Sequence, residues 1–366
     1  MKLGHYPFGA LVFTPVRAGP KERNMLVSKL RWGVLSTANI AVNKVIPAMQ
    51  RGEWCEVVAI ASREFEKAKQ VAQRLGIPKA YGSYEELLAD DSIAVVYNPL
   101  PNHLHVPLSI AAAQAGKHVL CEKPIALNGE EARQLLAVRD RTGVKIQEAF
   151  MVRTHPQWLG TRELIRTGRI GQLRSIGGFF SYFNSDERNI RNKPEFGGGA
   201  LMDIGCYPVT ISRFLFEQEP SRVMGVVELD PKLGVDRLTS VILDFPQGQS
   251  IFTCSTQLVP YQRMQIFGTR GRIEVEIPFN APADRPTRIF IDDGSDLFGT
   301  SIETKEFPTC DQYTIQGDLF SRSILEAVEQ PIPLTDAISN MAVIDAIFRS
   351  AQSGAWEIPN TLHVGQ

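Results

Sequence analysis

Between Leu30 and Ala149 short apolar runs alternate with amphipathic stretches, and this alternation restricts the fold more than any other feature of the chain. "LRWGVLS", "CEVVAIAS", "AVVYNPL", "HVLCEKP" and "KIQEAF" read as strands. "IAVNKVIPAMQRG", "EFEKAKQVAQRLG", "HVPLSIAAAQAGK" and "NGEEARQLLAVRDRTG" read as the helices between them, with Gly52 and Gly76 as stops to the first two. Parallel neighbours need a crossover, so strands separated by helices predict a doubly wound parallel sheet. After Phe150 the pattern changes. "RSIGGFFSYF", "RVMGVVEL", "LTSVILDFP", "QSIFTCSTQL", "RMQIFGT" and "GRIEVEIPF" follow one another with turns between, which predicts a large, mainly antiparallel sheet in an α+β second domain. A helix, "DAISNMAVIDAIFRSAQSG", closes the chain.

A length of 366 residues fits two domains, drawn here as 30–150 and 151–366, with residues 1–29 as an N-terminal arm. The apolar part of that arm is short, is broken by Pro15 and is followed by no small-x-small cleavage site. It reads as a loose arm or the product of an upstream start codon. Hydrophobic residues at 43% and charged residues at 22% describe a folded globular chain. The net charge of −1 comes with no basic stripe, which argues against nucleic acid or an anionic membrane as partner. No apolar run is long enough to span a bilayer. The five cysteines are scattered, odd in number and without a C-x-x-C pair; they read as reduced thiols of a cytoplasmic protein.

The stretch "RWGVLSTANIA", Arg31 to Ala41, lies after the first strand and before the first helix, where a dinucleotide turn belongs. The six positions of G-x-G-x-x-G read Ser36, Thr37, Ala38, Asn39, Ile40 and Ala41, without a glycine. Such a turn needs free backbone N–H groups at a helix start and no side chain in the way of the pyrophosphate. Ser and Ala are the next smallest residues, and the Ser36 and Thr37 hydroxyls add donors. The turn alone leaves an ordinary tight strand-to-helix connection equally open. The tip of the second strand, Ala61-Ser62-Arg63, has no acid to receive a ribose 2′-hydroxyl. Ser62 can donate a hydrogen bond and the Arg63 fork suits a phosphate, which favours NADP over NAD. The competing assignment of Arg63 is a solvated surface residue, and Glu64 reads as the helix opener.

Three further blocks carry a family resemblance. "HVLCEKPIAL" ends a strand in Glu122-Lys123-Pro124, "NPLPNHLH" holds Pro101, Asn102 and His105 in a P-N-x-x-H loop, and "NIRNKPEFGGGALMDIGCYPV" places a glycine run before Asp203-Ile204-Gly205-Cys206-Tyr207. Together they resemble the Gfo/Idh/MocA family of NAD(P)-dependent oxidoreductases, most closely its dihydrodiol/xylose dehydrogenase and glucose–fructose oxidoreductase branches. Several branches of that family carry G-T-A-x-I-A in the first turn, so Ser36 is the one added departure.

The resemblance implies that Lys123 touches the nicotinamide ribose and the reacting oxygen. It also implies that Leu100, Pro101, Asn102, His105 and Glu122 lie beside the cofactor, and that Lys123–Pro124 is cis. It implies a Tyr in the last catalytic position, NADP use, and a C-terminal sheet packed on another subunit in a homodimer or homotetramer. Unpaired apolar sheet surface is the physical reason for that assembly.

The chemistry agrees with this reading. Hydride transfer to a ketone leaves a growing alkoxide, which needs positive charge and a proton donor. Lys123 supplies the first and Tyr207 the second, with the ammonium expected to lower the phenol's pKa. Asp203 orients a substrate hydroxyl or the lysine, or else caps the following helix. In "EAFMVRTHPQW" Arg153 is expected to reach a sugar, with Arg191 a similar candidate; both are open to a structural, salt-bridged role. The pair His103 and His105 lacks a third ligand cluster, so no metal site is assigned. The leading expectation is an NADP-dependent oxidoreductase of a sugar, cyclic polyol or related carbonyl. Two others stand beside it: a glycosidase or epimerase using tightly held NAD, and a non-catalytic NADP-binding sensor.

Overall fold

Six short strands build the first layer of the molecule: β1 (Leu30–Leu35), β2 (Cys55–Ala61), β3 (Lys79–Tyr81), β4 (Val95–Asn98), β5 (His118–Cys121) and β6 (Ile146–Glu148). They pair in the order β3-β2-β1-β4-β5-β6, all parallel. The computed structural model describes residues 29–362, so the expected arm, apart from Lys29, lies outside the described residues. Helices α1 (Ile46–Gln50), α2 (Phe65–Leu75), α3 (Tyr84–Leu88), α4 (His105–Gln114) and α5 (Gly129–Thr142) lie between the strands. They cover the two faces, and Trp32, Val34, Val95, Val96, Val119 and Leu120 are fully buried. Local sequence sets their ends. Asn128 Oδ1 accepts the Glu131 N–H at 2.9 Å to cap α5, and Gly76 and Gly143 close α2 and α5 in the left-handed conformation. The strand order reverses between β1 and β4, and a crevice opens there at the carboxyl edge of the sheet.

The second sheet has eight strands: β7 (Leu173–Phe183), β8 (Arg222–Leu229), β9 (Asp236–Phe245), β10 (Gly248–Ser255), β11 (Gln257–Gly268), β12 (Arg272–Val275), β13 (Thr287–Asp292) and β14 (Glu303–Phe307). Their order is β14-β13-β12-β11-β7-β10-β9-β8, antiparallel except for the β7–β10 pair. Helices α6 (Pro156–Arg166), α7 (Cys206–Phe216) and α9 (Leu334–Ser353) pack on this domain. By register, Phe179, Val226, Ile242 and Ile251 share one sheet face, with Val226 70% and Ile251 50% exposed. Helix α8 (Gln312–Leu325) returns to the first sheet: the Trp32 indole donates to Ser321 Oγ at 3.0 Å, and Asp318 accepts the N–H groups of Glu53 and Trp54 at 2.9 Å. Among the described residues no helix is long and apolar enough to cross a membrane.

Candidate active site

The crevice at the carboxyl edge continues under β7 and β11 as a cleft of about 1110 Å³ between the two domains. Ser36, Thr37, Ala38, Asn39 and Ile40 line one end of it. Ser36 sits at φ 128°, a backbone region that side chains rarely adopt, and its Oγ accepts the Ala38 N–H at 3.0 Å. The helix that follows opens with a π turn, Ala41–Val45, in which the Ile46 N–H reaches back to the Ala41 carbonyl. Pro47 is the cause we assign: it has no N–H for a regular α bond, and the wider turn keeps its ring off the preceding carbonyl. N–H groups of a first helical turn have no earlier carbonyl to bond, and the turn that leads into this one is built of the small residues Ser36, Thr37 and Ala38. This end of the cleft therefore fits a dinucleotide pyrophosphate.

Farther along the same wall lie Ser62, Arg63, Glu64, Lys67 and Tyr84. Ser62 Oγ accepts the Glu64 N–H at 3.2 Å, which leaves the hydroxyl hydrogen free to donate. Glu64 pairs with Lys67 at 2.6 Å, whereas Arg63 has no carboxylate partner among the described residues and lies beside the Tyr84 hydroxyl. Lys67 and Tyr84 carried no signal in the sequence, because α2 and α3 bring them to the strand tip only in three dimensions.

At the middle of the cleft the parallel sheet delivers Lys123 and the second domain delivers Asp203 and Tyr207. The Lys123–Pro124 peptide is cis. Lys123 Nζ donates to the Asp203 carbonyl at 2.6 Å, stands 3.4 Å from Asp203 Oδ1, and lies 5.0 Å from the centre of the Tyr207 ring. Arg191 Nε donates to Asp203 Oδ1 at 3.0 Å, and the Tyr182 hydroxyl donates to Oδ2 at 2.5 Å. One carboxylate thus holds two cations and a phenol. Burial opposes the charge on Asp203, but Arg191 and Lys123 outweigh it and hold the carboxyl well below the usual carboxylate range. Burial likewise works against the Lys123 ammonium, yet Asp203 outweighs it and raises the lysine above its ordinary value. Lys123 stays charged.

Asp203 lies in a second π turn, Leu201–Gly205, ahead of α7, where Pro208 is the third residue. The glycine run before it has a steric basis. Gly197 and Gly199 both have positive φ, and a Cβ on Gly199 would stand 1.9 Å from Asp236 Oδ1. Asp236 in turn accepts the Leu201 N–H at 2.7 Å.

Two expectations are corrected. Tyr207 is not acidified: burial raises its pKa well above the ordinary phenol value, with Tyr313, Cys206, Glu122 and Asp203 adding to the rise. The ammonium meets the ring face and is engaged by Asp203, while the phenol hydroxyl points to Met151 Sδ at 3.8 Å. Arg153 does not line the cleft. Its guanidinium donates to Asp336 at 2.7 Å and to Thr210 at 3.2 Å and lies over Phe214, and Met151, two residues earlier, takes the place at the cleft. Arg191 does line the cleft.

Leu100, Pro101, Asn102, His105 and Glu122 all reach the cleft, by different means. His105 is a brace: Nδ1 lies 2.7 Å from the Pro124 carbonyl and Nε2 lies 2.6 Å from the Leu100 carbonyl, and the nitrogen that carries the ring hydrogen donates to its carbonyl. Burial lowers its pKa to about 4. Asn102 Nδ2 donates to the Gly197 carbonyl at 2.9 Å and ties the two domains across the cleft. Glu122 accepts the Tyr97 hydroxyl at 2.5 Å.

Tyr182, Tyr313, Arg263 and Glu276 also line the cleft and were not legible in the sequence, since the first three lie on a strand or helix without a motif and Glu276 just past the end of β12. Glu148 is another. Its Oε1 accepts the Ile125 N–H at 2.8 Å, two residues past Lys123, and burial pushes its pKa up to about 8.

A helix start open to a pyrophosphate, facing a charged lysine and a protonated phenol, defines an NAD(P)-binding oxidoreductase. The chain belongs to the Gfo/Idh/MocA family: residues 30–150 match the oxidoreductase family's NAD-binding Rossmann fold and residues 158–274 the GFO/IDH/MocA C-terminal domain. An uncharacterised oxidoreductase of Rhizobium meliloti is 49% identical over 329 residues, covering 90% of this chain and 98% of that one. A D-xylose 1-dehydrogenase (NADP(+)) of Haloferax volcanii is 38% identical over 331 residues, covering 89% and 98%. A 3-ketoreductase of Actinomadura kijaniata, solved in complex with NADP and TDP-benzene, superposes with a TM-score of 0.82 at 29% identity, covering 88% of this chain and 98% of that one.

Proposed function

We propose that this chain is an NADP-dependent oxidoreductase acting on a sugar, cyclic polyol or related carbonyl, with Lys123, Asp203 and Tyr207 as its catalytic residues. The observation that carries this reading is the meeting of a charged lysine and a neutral tyrosine in one cleft with the open helix start after β1. Ser36, Thr37, Ala38, Asn39 and Ile40 would hold the pyrophosphate, and Ser62 with Arg63 would hold the ribose phosphate that separates NADP from NAD. Bound there, the nicotinamide supplies the hydride chemistry.

The chain's own groups do the rest. Lys123, fixed by Asp203, places its ammonium where the substrate oxygen gains negative charge in reduction. Tyr207, protonated at neutral pH, gives that oxygen its proton; in oxidation it must first lose its own. Asp203 keeps Lys123 charged and directs it, and Arg191 and Tyr182 hold Asp203 in turn. Val226, Ile242, Ile251 and Phe179 supply the apolar face through which a homodimer or homotetramer would form, in the cytoplasm. A D-xylose dehydrogenase using NADP(+) among the relatives supports both the substrate class and the cofactor.

A panel of free aldoses, cyclic polyols and dicarbonyls tests the reading. Tyr207→Phe is expected to lower kcat by about 100-fold or more with NADPH affinity unchanged, and Lys123→Met to lower kcat at least as far. Turnover that survives both substitutions would refute the assignment.

A further inference from the structure

We infer that the substrate of this site is an uncharged polyhydroxy compound, not a sugar phosphate or nucleotide-linked sugar. This rests on the oxidoreductase reading above and narrows it. The ground for it is where the cleft leaves cations without a partner.

Four cations line the substrate end of the cleft, and each is already engaged. Lys123 and Arg191 share Asp203, at 3.4 and 3.0 Å. Arg188 pairs with Asp186 at 3.1 Å, and Arg263 with Glu274 at 3.2 Å while also donating to the Glu276 carbonyl. The Glu276 carboxylate is held by Arg288 at 2.7 Å. Past Arg263, Glu276 and Ile277 the cleft meets a side chamber of about 470 Å³, whose other arginines are Arg285 and Arg288; Arg285 is paired with Asp284 at 3.0 Å. Glu306 also lines the chamber, so the positive charge that Lys123 and Arg191 leave over Asp203 is joined there by no other surplus cation among the described residues. It stands beside the reacting oxygen, where an alkoxide develops.

A phosphate monoester carries about 1.5 to 2 negative charges at neutral pH. Matching it here would mean drawing arginines off carboxylates, one of them the deeply buried Asp203. The opposite end of the cleft is built differently. Arg63 has no carboxylate partner among the described residues, and that is where the cofactor's extra phosphate is expected. At one end the cleft leaves Arg63 without a carboxylate; at the other Lys123, Arg191 and Arg263 each have one, and Arg188 pairs only with its exposed chain neighbour Asp186.

The neutral groups of the substrate end have the converse arrangement. The Tyr261 and Tyr313 hydroxyls and the Asn280 amide line the cleft and make no side-chain hydrogen bond among the described residues. Gln262 uses Oε1 on the Phe279 and Asn280 N–H groups, which leaves its NH₂ to donate. Hydroxyl groups both give and take hydrogen bonds, so these partners suit a polyol. Phe180 and Tyr207 add aromatic surface for its C–H faces.

The test follows oxidation with saturating NADP+ on matched pairs that share a free anomeric centre: D-xylose with D-xylose 5-phosphate, and D-glucose with glucose 6-phosphate. The uncharged member of each pair that turns over is expected to have a kcat/KM at least about 100-fold above its charged partner. Separately, millimolar dTDP or inorganic pyrophosphate is expected to leave the melting temperature of the NADPH-loaded protein unchanged. A charged member that outperforms its neutral partner, or a dTDP- or pyrophosphate-dependent rise in melting temperature, overturns the inference while leaving the oxidoreductase reading intact. A protein that binds no NADPH at all overturns both.

Discussion

Tyr207 and Glu148 show how burial, as the largest influence, sets the protonation of groups in and behind this site. With its pKa raised, the Tyr207 phenol keeps its proton across the neutral range, so reduction of a carbonyl is expected to be flat in pH from about 6 to 8. Oxidation needs the phenolate, and its kcat is expected to climb by up to about tenfold per pH unit through the same range. A pH profile measured in both directions checks this, and an oxidation rate that is flat with pH would remove Tyr207 from the base role. Glu148 makes a separate prediction, about stability. The unfolded chain loses this proton near the ordinary glutamate value of 4.5, whereas the native state holds it to about 8. Its contribution is therefore fully present below about 4.5 and is lost as pH rises toward 8, on the order of 3–5 kcal/mol in all. Glu148→Gln keeps an acceptor for the Ile125 N–H and removes the titration. Its melting temperature is expected to gain on the parent between pH 5 and pH 8; curves that stay parallel would mean that Glu148 is already ionised in the native protein.

At the level of elements, two of the helices that reach the site carry a π turn followed closely by a proline: Ala41–Val45 before Pro47, and Leu201–Gly205 before Pro208. Each wider turn lies at the cleft, one next to the phosphate end and one carrying Asp203. The loop that leads into the first of these turns holds the strained residue of the site. Ser36 at φ 128° carries a strain of about 1–3 kcal/mol, partly offset by about 1 kcal/mol from the Ala38 hydrogen bond. Ser36→Gly is therefore expected to raise the melting temperature by about 1–3 °C, even after the entropy that glycine adds to the unfolded chain. It also frees the Ala38 N–H for a phosphate. A lower melting temperature would show that the hydrogen bond outweighs the strain. The proline effect explains a gap in the sequence reading: "IAVNKVIPAMQ" has the composition of one regular helix, and the π turn within it follows from Pro47 and not from periodicity.

Across the whole molecule, the features legible in the sequence were those written locally. The strand–helix alternation after Leu30 marked the parallel sheet, and the run of strands after Phe150 marked the second one. Glu122-Lys123-Pro124 and Asp203 to Tyr207 marked the two sides of the cleft, because each is a short motif on a single turn. What escaped was written in pairs of distant residues. Helix α8 packs against β1 through Trp32 and Ser321, 289 positions apart in the chain. Tyr182 and Arg263 lie on strands whose alternation fixes a face and says nothing of the cleft beneath it, and Glu276 follows the end of β12. Arg153 was misplaced because its sequence neighbourhood does reach the site, while Asp336, its partner from α9, is 183 residues away. The two-domain arrangement brings the open helix start, Arg63 and Lys123 to one cleft, and that convergence underlies every functional statement made for this protein. The most direct test is a fluorescence titration of the purified protein with NADPH and NADH, repeated on Arg63→Ala. NADPH is expected to bind at least about tenfold more tightly than NADH, with that preference lost in the variant. Failure to bind either nucleotide, with none released on denaturation, or a preference for NADH that Arg63→Ala leaves unchanged, would contradict the assignment.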